Sequence, residues 1–383
     1  MIELTEAQLL VVREIIAWYL DPKAPQEYYL AGFAGVGKST LVDFVIKELE
    51  AHHKLKRVRT AAYTGKAASV LRKKGVKEAQ TIHSLIYTAE EDDEGHISFV
   101  LSEDSPAADA QLICLDECSM VADEMATDLR SFGKKILIIG DPGQLPPVKG
   151  AGAFTNRNPD AFLHEIHRQH AESPILELAT MARKGEPLPI GYSKGNVRVL
   201  KLDKDSQNFV YDIDAQPICG LNRVRWVYTQ RIRKRMGIDS PIPEVGERIM
   251  CCKNNRKHCF FNGNIGELKS FDLKRAEGFD IERYQFDVKF DDFKDPMKEL
   301  IVDPFLFNQH FTNGATQKAE WVQGRKRYDE FDWGYVLTAH KAQGSSWKNV
   351  TVVNDSGSFR DDRHKWLYTA LTRAEEGLTV LMR

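Results

Sequence analysis

The chain has 383 residues, which is enough for two or three domains of ordinary size. Its hydrophobic fraction of 42% is typical of a globular protein, and no run of about 18 apolar residues predicts a membrane-spanning helix. The formal net charge of −2 gives no overall basic signature for nucleic acid, although a local basic channel is sufficient for such a partner. The first residues lack a secretory signal and the six cysteines form no Cys-x-x-Cys pair, so we expect reduced thiols in a cytoplasm.

The first 150 residues alternate between helical and strand patterns. We predict helices at 5–20 and 39–49 and strands at 28–32, 58–62, 112–115 and 136–139. The last two strands are apolar throughout, as buried parallel strands are. This alternation predicts a parallel sheet covered by helices. An acidic stretch at 87–110 interrupts the pattern, and we interpret it as an inserted hairpin.

A second α/β segment begins near residue 150 and is interrupted from about 241 to 328. The interruption contains short strand-like runs separated by turn residues such as Asn262-Gly263, which predicts a small β-barrel inserted in the second domain. Residues 304–330 match no pattern that we can assign. The predicted domains are 1–150 with its insertion at 87–110, 151–240 together with 329–383, and 241–328.

Residues 32–39, Gly-Phe-Ala-Gly-Val-Gly-Lys-Ser, match the phosphate-binding pattern G-x-x-x-x-G-K-[ST] in full. Glycines let backbone N–H groups turn toward phosphate oxygens, Lys38 reaches the β- and γ-phosphates, and Ser39 ligates Mg²⁺. We therefore expect ATP and Mg²⁺ here; the alternative is a glycine-rich turn with a surface lysine. The residues expected at the nucleotide are Gly35, Val36, Gly37, Lys38, Ser39 and Thr40.

The apolar strand at 112–115 leads into two carboxylates, Asp116 and Glu117. We expect Asp116 to hold Mg²⁺ and to contact the nucleotide through that ion. Glu117 is then in position to polarise the attacking water, because water is a poor nucleophile at neutral pH. An apolar run that ends in Asp-Glu is common, and it gains weight here by following the phosphate loop in the same α/β pattern.

Two glutamines each have two interpretations. Gln144 follows the strand at 136–139, where it either senses the γ-phosphate or belongs to a turn rich in Pro and Gly. Gln8 forms a capping box with Thr5, which the residues alone favour, or contacts the adenine edge of ATP. The residues themselves leave both alternatives open.

Taken together, these segments resemble superfamily 1 helicases of the B branch, the RecD and phage Dda-like group. Segments similar to the motifs of that group lie at 62–68, 81–85, 116–120, 140–147, 165–169, 334–347 and 366–374. The resemblance implies an α/β fold of two RecA-like P-loop NTPase domains, with a strand-separating hairpin in the first and an SH3-like β-barrel in the second. It implies a monomeric helicase in a bacterial or phage-infected cell that moves 5′ to 3′ on single-stranded DNA, unwinds duplex at forks and works with replication or recombination proteins.

The resemblance also assigns roles to single residues. Gln8 matches the adenine-reading motif, and Gln144 matches a γ-phosphate sensor. Arg168 and Arg373 match arginines of the second domain that neutralise transition-state charge; without the resemblance, each is a surface arginine in a salt bridge. ATP then closes the cleft between the domains and hydrolysis opens it. The residues implied at DNA are Thr64, Lys66, His83, Ser84, Asn222, Arg225, Thr338, His340 and Lys341.

Several alternatives remain at this stage. His83 also fits a half-buried histidine whose hydrogen bonds are satisfied inside the protein. The hairpin segment is short and acidic, which leaves open a translocase or remodelling ATPase with little intrinsic unwinding. A P-loop switch or kinase that binds no nucleic acid is a third hypothesis, but it does not explain the segments around Arg168 and Arg373.

Overall fold

Two units make up the chain in the computed structural model, Met1–Lys184 and Gly185–Arg383. The structure describes residues 4–76, 78–91, 97–147, 152–164, 173–253, 255, 260, 262–275, 282–291, 293–302, 304–307 and 328–383. No helix in these ranges is both long and apolar enough to cross a membrane.

The first unit alternates strands and helices. Its strands are β1 (Glu27–Gly32), β2 (Val58–Ala62), β3 (Gln80–Thr81), β4 (Tyr87–Glu91), β5 (Ile97–Leu101), β6 (Leu112–Asp116), β7 (Lys135–Gly140) and β8 (Ala161–Leu163). Its helices are α1 (Glu6–Leu20), α2 (Lys38–His52), α3 (Gly65–Lys73), α4 (Ile82–Ile86), α5 (Asp123–Ser131) and α6 (Pro174–Lys184), with a 3₁₀ turn at Cys118–Met120.

Parallel strands form the main sheet of this unit, in the order β3-β2-β6-β7-β1-β8. Successive residues of a strand point to opposite faces, so each central strand contributes to two hydrophobic cores. Leu30 and Leu137 pack with α1 and α2, whereas Tyr29 and Ile138 pack on the other face with Leu129 of α5. Burial on both faces explains why β6 and β7 are continuous apolar runs.

The insertion at 87–110 contains a two-stranded hairpin. Strands β4 and β5 pair antiparallel, with Tyr87 opposite Leu101 and Ala89 opposite Phe99. Phe99 is 52% exposed, and the next two residues, Val100 and Leu101, are 40% and 38% exposed, so β5 presents adjacent apolar side chains to solvent. Residues 92–96, which include Asp92, Asp93 and Glu94, lie outside the described ranges. Whether this hairpin separates DNA strands stays a prediction.

The second unit contains two sheets. Its strands are β9 (Ser193–Lys194), β10 (Val197–Lys201), β11 (Gln216–Cys219), β12 (Arg248–Cys251), β13 (Ile265–Arg275), β14 (Glu282–Phe290), β15 (Met297–Val302), β16 (Phe331–Trp333), β17 (Leu337–Thr338), β18 (Trp347–Asn354) and β19 (Ala374–Met382). Its helices are α7 (Asn222–Arg235), α8 (Pro304–Phe307), α9 (Ala339–Ala342) and α10 (Arg363–Leu371), with 3₁₀ turns at Ser206–Tyr211 and Ser356–Asp362.

One sheet of this unit is parallel except at its edge, in the order β17-β11-β18-β19-β10-β9, with β9 antiparallel to β10. The other sheet is antiparallel, in the order β15-β14-β13-β12-β16. Aromatic side chains fill much of its core, which compensates for the small size of this sheet. They include Phe260, Phe286, Phe290, Phe331 and Trp333.

Two borders differ from the predicted domain limits. Strand β8 pairs with β1, so residues 161–163 belong to the first unit, although we expected that domain to end at 150. Strand β16 pairs with β12, so residues 331–333 complete the antiparallel sheet, although we expected it to end at 328. Both strands are three residues long, and their partners are distant in sequence. Pairing of that kind leaves no local signal in composition or periodicity.

Helix α7 is joined to the antiparallel sheet by two buried arginines, Arg225 and Arg233, which share a face because they are about two helical turns apart. Arg225 and Asp332 of β16 are both fully buried, with 3.4 Å between Nη1 and Oδ2. Arg233 donates two hydrogen bonds to Glu247, at 2.6 and 3.1 Å. A buried charge is costly without a partner, so these pairs fix the helix against the sheet.

Removal of Glu247 leaves Arg233 buried without its carboxylate. We expect Glu247→Ala to lower the free energy of unfolding of the second unit by about 3–5 kcal/mol. Urea denaturation followed by tryptophan fluorescence measures this, because Trp333 lies 4.5 Å from the Arg233 guanidinium. The control Asp291→Ala breaks the partly exposed ion pair with Arg248 and costs less than about 1 kcal/mol. Equal losses in the two variants would contradict this account.

Candidate functional site

The phosphate loop lies between β1 and α2, at the carboxyl edge of the first sheet. Gly35 and Gly37 have left-handed φ angles of 82° and 81°, which residues with a Cβ rarely adopt. Gly37 is the N-cap of α2, and no side chain caps that helix, so its first N–H groups are left for an external anion. The Lys38 ammonium donates to the carbonyl oxygens of Gly32 at 2.7 Å and Phe33 at 2.9 Å. The loop therefore has the donors and the backbone shape that phosphate binding needs.

Helix α6 packs against this loop. A Cβ added to Gly35 would lie 2.8 Å from Leu176 Cδ1, so this side chain would have to shift, and the positive φ of 82° is what favours glycine here. The guanidinium carbon of Arg183 lies 3.6 Å from the centroid of the Phe33 ring, which is a cation–π contact. Sequence reasoning missed Leu176 and Arg183, because the phosphate-loop pattern does not reveal what packs on the loop.

Gln8 connects helix α1 to the phosphate loop. Its Oε1 accepts a hydrogen bond from Thr5 N at 3.0 Å, and Thr5 Oγ1 accepts from Gln8 N at 3.3 Å, which completes the capping box. Its Nε2 also donates to the carbonyl of Val36 at 3.3 Å. The capping box therefore forms, and the same buried amide reaches the loop. The adenine contact stays a prediction.

Asp116 and Glu117 follow β6 at the same edge of the sheet. Glu117 has φ 51° and ψ 42°, a left-handed conformation that is strained for a non-glycine residue. The Asp116 carboxylate accepts from Glu117 N at 2.9 Å. Burial, and then the charge of Glu117, raise the pKa of Asp116 to about 6, while Lys38 lowers it. Ser39 is exposed and Thr40 half-buried in the first turn of α2.

Two polar atoms near this edge are buried without hydrogen-bond partners in the described part of the chain. They are Oε1 of Gln144, in the turn after β7, and Oγ of Ser119, in the 3₁₀ turn after β6. The backbone N–H of Gln144 donates to the carbonyl oxygen of Asp141 at 3.1 Å, which fixes the turn that carries this side chain. Strands β6 and β7 are parallel neighbours, so both atoms lie at the edge that carries the carboxylates. An unpaired buried acceptor is costly, which is the pattern expected of a group that receives a ligand.

Arg373 is buried in the second unit. Its guanidinium donates to the carbonyls of Thr369 at 3.1 Å and Ser345 at 3.2 Å, and to Thr372 Oγ1 at 3.2 Å. Among the residues that the structure describes, no carboxylate lies within ion-pair distance of it. Within the described ranges, Arg373 is thus a buried cation whose hydrogen-bond acceptors are neutral groups. Arg168 lies outside the described ranges.

The four residues expected at DNA in the first unit follow two neighbouring parallel strands, β2 and β3. Thr64 caps α3 by accepting from Ala67 N at 3.1 Å, and Lys66 lies half-buried in the first turn of that helix. Ser84 Oγ lies 2.9 Å from Thr81 Oγ1 at the start of α4. The His83 ring is half-buried and contacts Tyr87 and Phe99, with centroids 5.6 and 6.2 Å away. All four lie at the edge that carries the phosphate loop.

The second unit repeats this arrangement at the carboxyl ends of β11 and β17, which are parallel neighbours. Asn222 is exposed at the start of α7, while Thr338 is buried and caps α9 by accepting from Lys341 N at 3.3 Å. Lys341 Nζ lies 3.9 Å from Cys252 Sγ. Burial lowers the pKa of His340, and the charge of Asp362 partly opposes this. Three of these side chains, Asn222, His340 and Lys341, are exposed or half-buried.

Arg225 does not have the exposed position that a DNA contact needs. The resemblance implies a DNA contact, but its side chain is fully buried. Its guanidinium donates to the carbonyls of Trp333 at 2.7 Å and Val336 at 2.8 Å, and it pairs with Asp332. All of these partners belong to the segment 332–336, so Arg225 fixes α7 to that segment and has no surface to offer DNA.

Two families match the chain. The AAA domain family matches residues 4–201, which is more than half of the 383 residues. The UvrD-like helicase C-terminal domain family matches residues 334–381.

Several curated proteins are similar to the chain. It is 27% identical over 375 residues to the ATP-dependent RecD2 DNA helicase of Deinococcus radiodurans, a match that covers 91% of this chain and 46% of that protein. It is 32% identical over 167 residues to the ATP-dependent DNA helicase dda of Enterobacteria phage T4, which covers 40% of this chain and 37% of that protein. The chain therefore spans less than half the length of the curated relatives it matches.

Solved structures share the fold. A Bacteroides Pif1 helicase in complex with ADP-AlF3 and ssDNA has a TM-score of 0.55 at 18% identity, covering 99% of this chain and 92% of that one. The Pif1 helicase of Candida albicans has a TM-score of 0.54 at 19% identity, covering 100% of this chain and 94% of that one. The likeness supports an α/β fold with a RecA-like P-loop domain, as predicted.

The left-handed backbone at Glu117 lowers the free energy of unfolding of the first unit by a measurable amount. We expect Glu117→Gly to raise the free energy of unfolding of the first unit by about 1 kcal/mol, because glycine adopts this conformation without a Cβ clash. Glu117→Ala keeps the Cβ and serves as the control, with no comparable gain. Thermal unfolding of the two variants measures the difference. Equal stability of both would show that the strain is absent in solution.

Proposed function

Because the chain belongs to the AAA domain family and carries a UvrD-like helicase C-terminal domain, we propose that it is an ATP-dependent DNA helicase. It moves along single-stranded DNA, 5′ to 3′ by analogy with the B branch, and unwinds duplex at forks. One observation carries the proposal. The phosphate loop, the Asp116–Glu117 pair and the segments with Thr64 and Ser84 all lie at one edge of one parallel sheet.

The phosphates of ATP bind the N-terminus of α2 and the backbone of residues 35–37. Lys38 exchanges its carbonyl partners for the β- and γ-phosphate oxygens, and Gln8 reads the adenine edge. In the described residues, no group of three or more His, Cys, Asp and Glu side chains could hold a metal ion. The donors present, an exposed Ser39 hydroxyl and the Asp116 carboxylate, fit Mg²⁺, which takes most of its ligands from phosphates and water. When bound, the ion neutralises charge on the β- and γ-phosphates.

Hydrolysis transfers the γ-phosphoryl group to water. Glu117, which follows β6 with a left-handed backbone at φ 51°, accepts the proton of that water. The Gln144 amide N–H donates to a γ-phosphate oxygen, or its Oε1, which is buried without a partner in the described structure, accepts from the attacking water. The γ-phosphate is the anion that Arg168 and Arg373 neutralise as charge develops. Its binding and loss drive closure and opening of the two domains.

Single-stranded DNA passes over the carboxyl edges of both parallel sheets. Hydroxyl, imidazole and ammonium groups contact its backbone without selecting sequence. The contacts are Thr64, Lys66, His83, Ser84, Asn222, Thr338, His340 and Lys341. The β4–β5 hairpin separates the strands of the duplex, and the antiparallel sheet acts as an SH3-like accessory domain. The monomeric state, the cytoplasmic location and partners in replication or recombination stay predictions.

A second candidate is a translocase or remodelling ATPase with little intrinsic unwinding. The hairpin favours it, because each strand has only five residues and acidic residues join them, which repel duplex phosphates.

ATPase activity titrated with single-stranded DNA tests the nucleotide chemistry. We expect strong stimulation in the wild type and a loss of at least about 100-fold in Lys38→Ala, because the ammonium stabilises the transferred phosphoryl group. Lys47→Ala is the matched control, since Lys47 lies on the same helix, is 69% exposed and pairs only with Asp43 in the described structure. Activity that DNA fails to stimulate would support a P-loop switch or kinase instead. A parallel titration with RNA decides between the two nucleic acids.

A forked substrate separates the two candidates. We expect Phe99→Ala to reduce unwinding of a fork by about tenfold, because base stacking on an exposed aromatic ring contributes about 1–3 kcal/mol. DNA-stimulated hydrolysis is measured on the same preparations to separate unwinding from turnover. If the wild type hydrolyses ATP with DNA but separates no strands, the translocase is favoured and the helicase proposal is wrong.

A further inference from the structure

The 3₁₀ turn Ser356–Asp362 connects β18 to α10, the helix that precedes Arg373. Its half-buried Phe359 ring lies between two elements with different proposed roles. On one side, its centroid is 5.9 Å from the His340 ring. On the other, it stacks on the buried Trp366 of α10, with 5.6 Å between centroids and 17° between planes. One ring thus contacts a proposed DNA residue and the helix of the proposed arginine.

The same turn also holds the loop that leads to Asn222. A Cβ added to Gly220 would lie 2.4 Å from Phe359 Cε2 and 2.5 Å from Asp355 Oδ1, so glycine alone fits there. The Asp355 carboxylate accepts from Gly220 N at 2.5 Å and Leu221 N at 3.1 Å. Both segments of the second unit that carry proposed DNA contacts are therefore in contact with this turn.

The backbone of the turn is strained next to the ring. Arg360 has φ 46° and ψ −113°, a combination that is normally restricted to glycine. Such strain persists only where the surroundings enforce it. Here Phe359 is held between two aromatic rings, and Asp362 lies close enough to His340 for its charge to act on that imidazole. A strained turn with anchored neighbours is the kind of element that can adopt a second discrete arrangement.

We propose that Phe359 is a positioning residue that couples DNA binding to ATP hydrolysis. DNA bound at His340 and Asn222 moves the Phe359 ring, and the close-packed stack passes that displacement to Trp366 and α10. The last turn of α10 supplies the Thr369 carbonyl that accepts from Arg373 Nε at 3.1 Å, so a shift of this helix moves the arginine. This inference rests on the proposed function and names the contact through which DNA accelerates turnover.

The test compares kcat and KM for ATP with and without a saturating thymidine oligonucleotide. We expect Phe359→Leu, which keeps an apolar side chain but loses the ring, to lower the ratio of stimulated to unstimulated kcat by about tenfold, within the usual range of coupling between two sites. Phe359→Tyr restores the stack and the ratio. Phe209→Leu is the matched control, because Phe209 is a half-buried phenylalanine in the other 3₁₀ turn of this unit. We expect this variant to keep the wild-type ratio of stimulated to unstimulated kcat.

Two further variants test the contact itself. Arg360→Gly releases the strained backbone without altering the ring, and we expect the ratio to fall in the same direction. In a double-mutant cycle, His340→Ala with Phe359→Leu should reduce the ratio no more than the larger single effect, because both lie on one route. If the two substitutions lower the ratio of stimulated to unstimulated kcat independently, so that their effects multiply in the double mutant, the proposal is wrong. It is also wrong if Phe359→Leu alone keeps the wild-type ratio. A wild type that DNA does not stimulate overturns the helicase function as well, so the two failures are distinguishable.

Discussion

The strands of the first main sheet run in one direction, so every loop that follows a strand lies at the same edge. This constraint brings together groups that are far apart in the chain, such as Lys38 after β1 and Asp116 at the end of β6. It also sets the phosphate loop and the segment around Thr64 on one edge. Chemistry on a nucleotide and contact with a second ligand can then share a rigid support, because the sheet is buried between two hydrophobic cores.

Local patterns were sufficient to predict the phosphate loop and the two apolar strands β6 and β7 of the first unit. The G-x-x-x-x-G-K-[ST] pattern defines its own backbone geometry, and the observed φ angles of Gly35 and Gly37 agree with it. Apolar runs before Asp116 and before residue 140 predicted buried strands, and β6 and β7 are such strands. These features depend on neighbouring residues, so periodicity and residue type are enough to identify them.

The same local patterns did not predict contacts between residues that are far apart in the sequence. Arg225 lies in a basic segment that resembles a DNA-facing motif, yet its role is decided by Asp332, more than 100 residues later in the chain. The short strand β8 belongs to the first sheet because it pairs with β1, and no local sequence pattern predicts that pairing. Gln8 shows a milder case, because the capping box is local and predictable, whereas its bond to Val36 depends on how α1 packs.

The Lys38 ammonium has a further consequence, because it already has two carbonyl partners inside its own loop. An arriving phosphate replaces neutral acceptors with charged ones, so the affinity gained is the difference between the two sets and not the full strength of a new ionic bond. When the nucleotide dissociates, the Lys38 ammonium can again donate to the carbonyl oxygens of Gly32 and Phe33. In the proposed function, the loop carbonyls therefore compete with the phosphate for Lys38, which lowers the net gain in affinity from this contact.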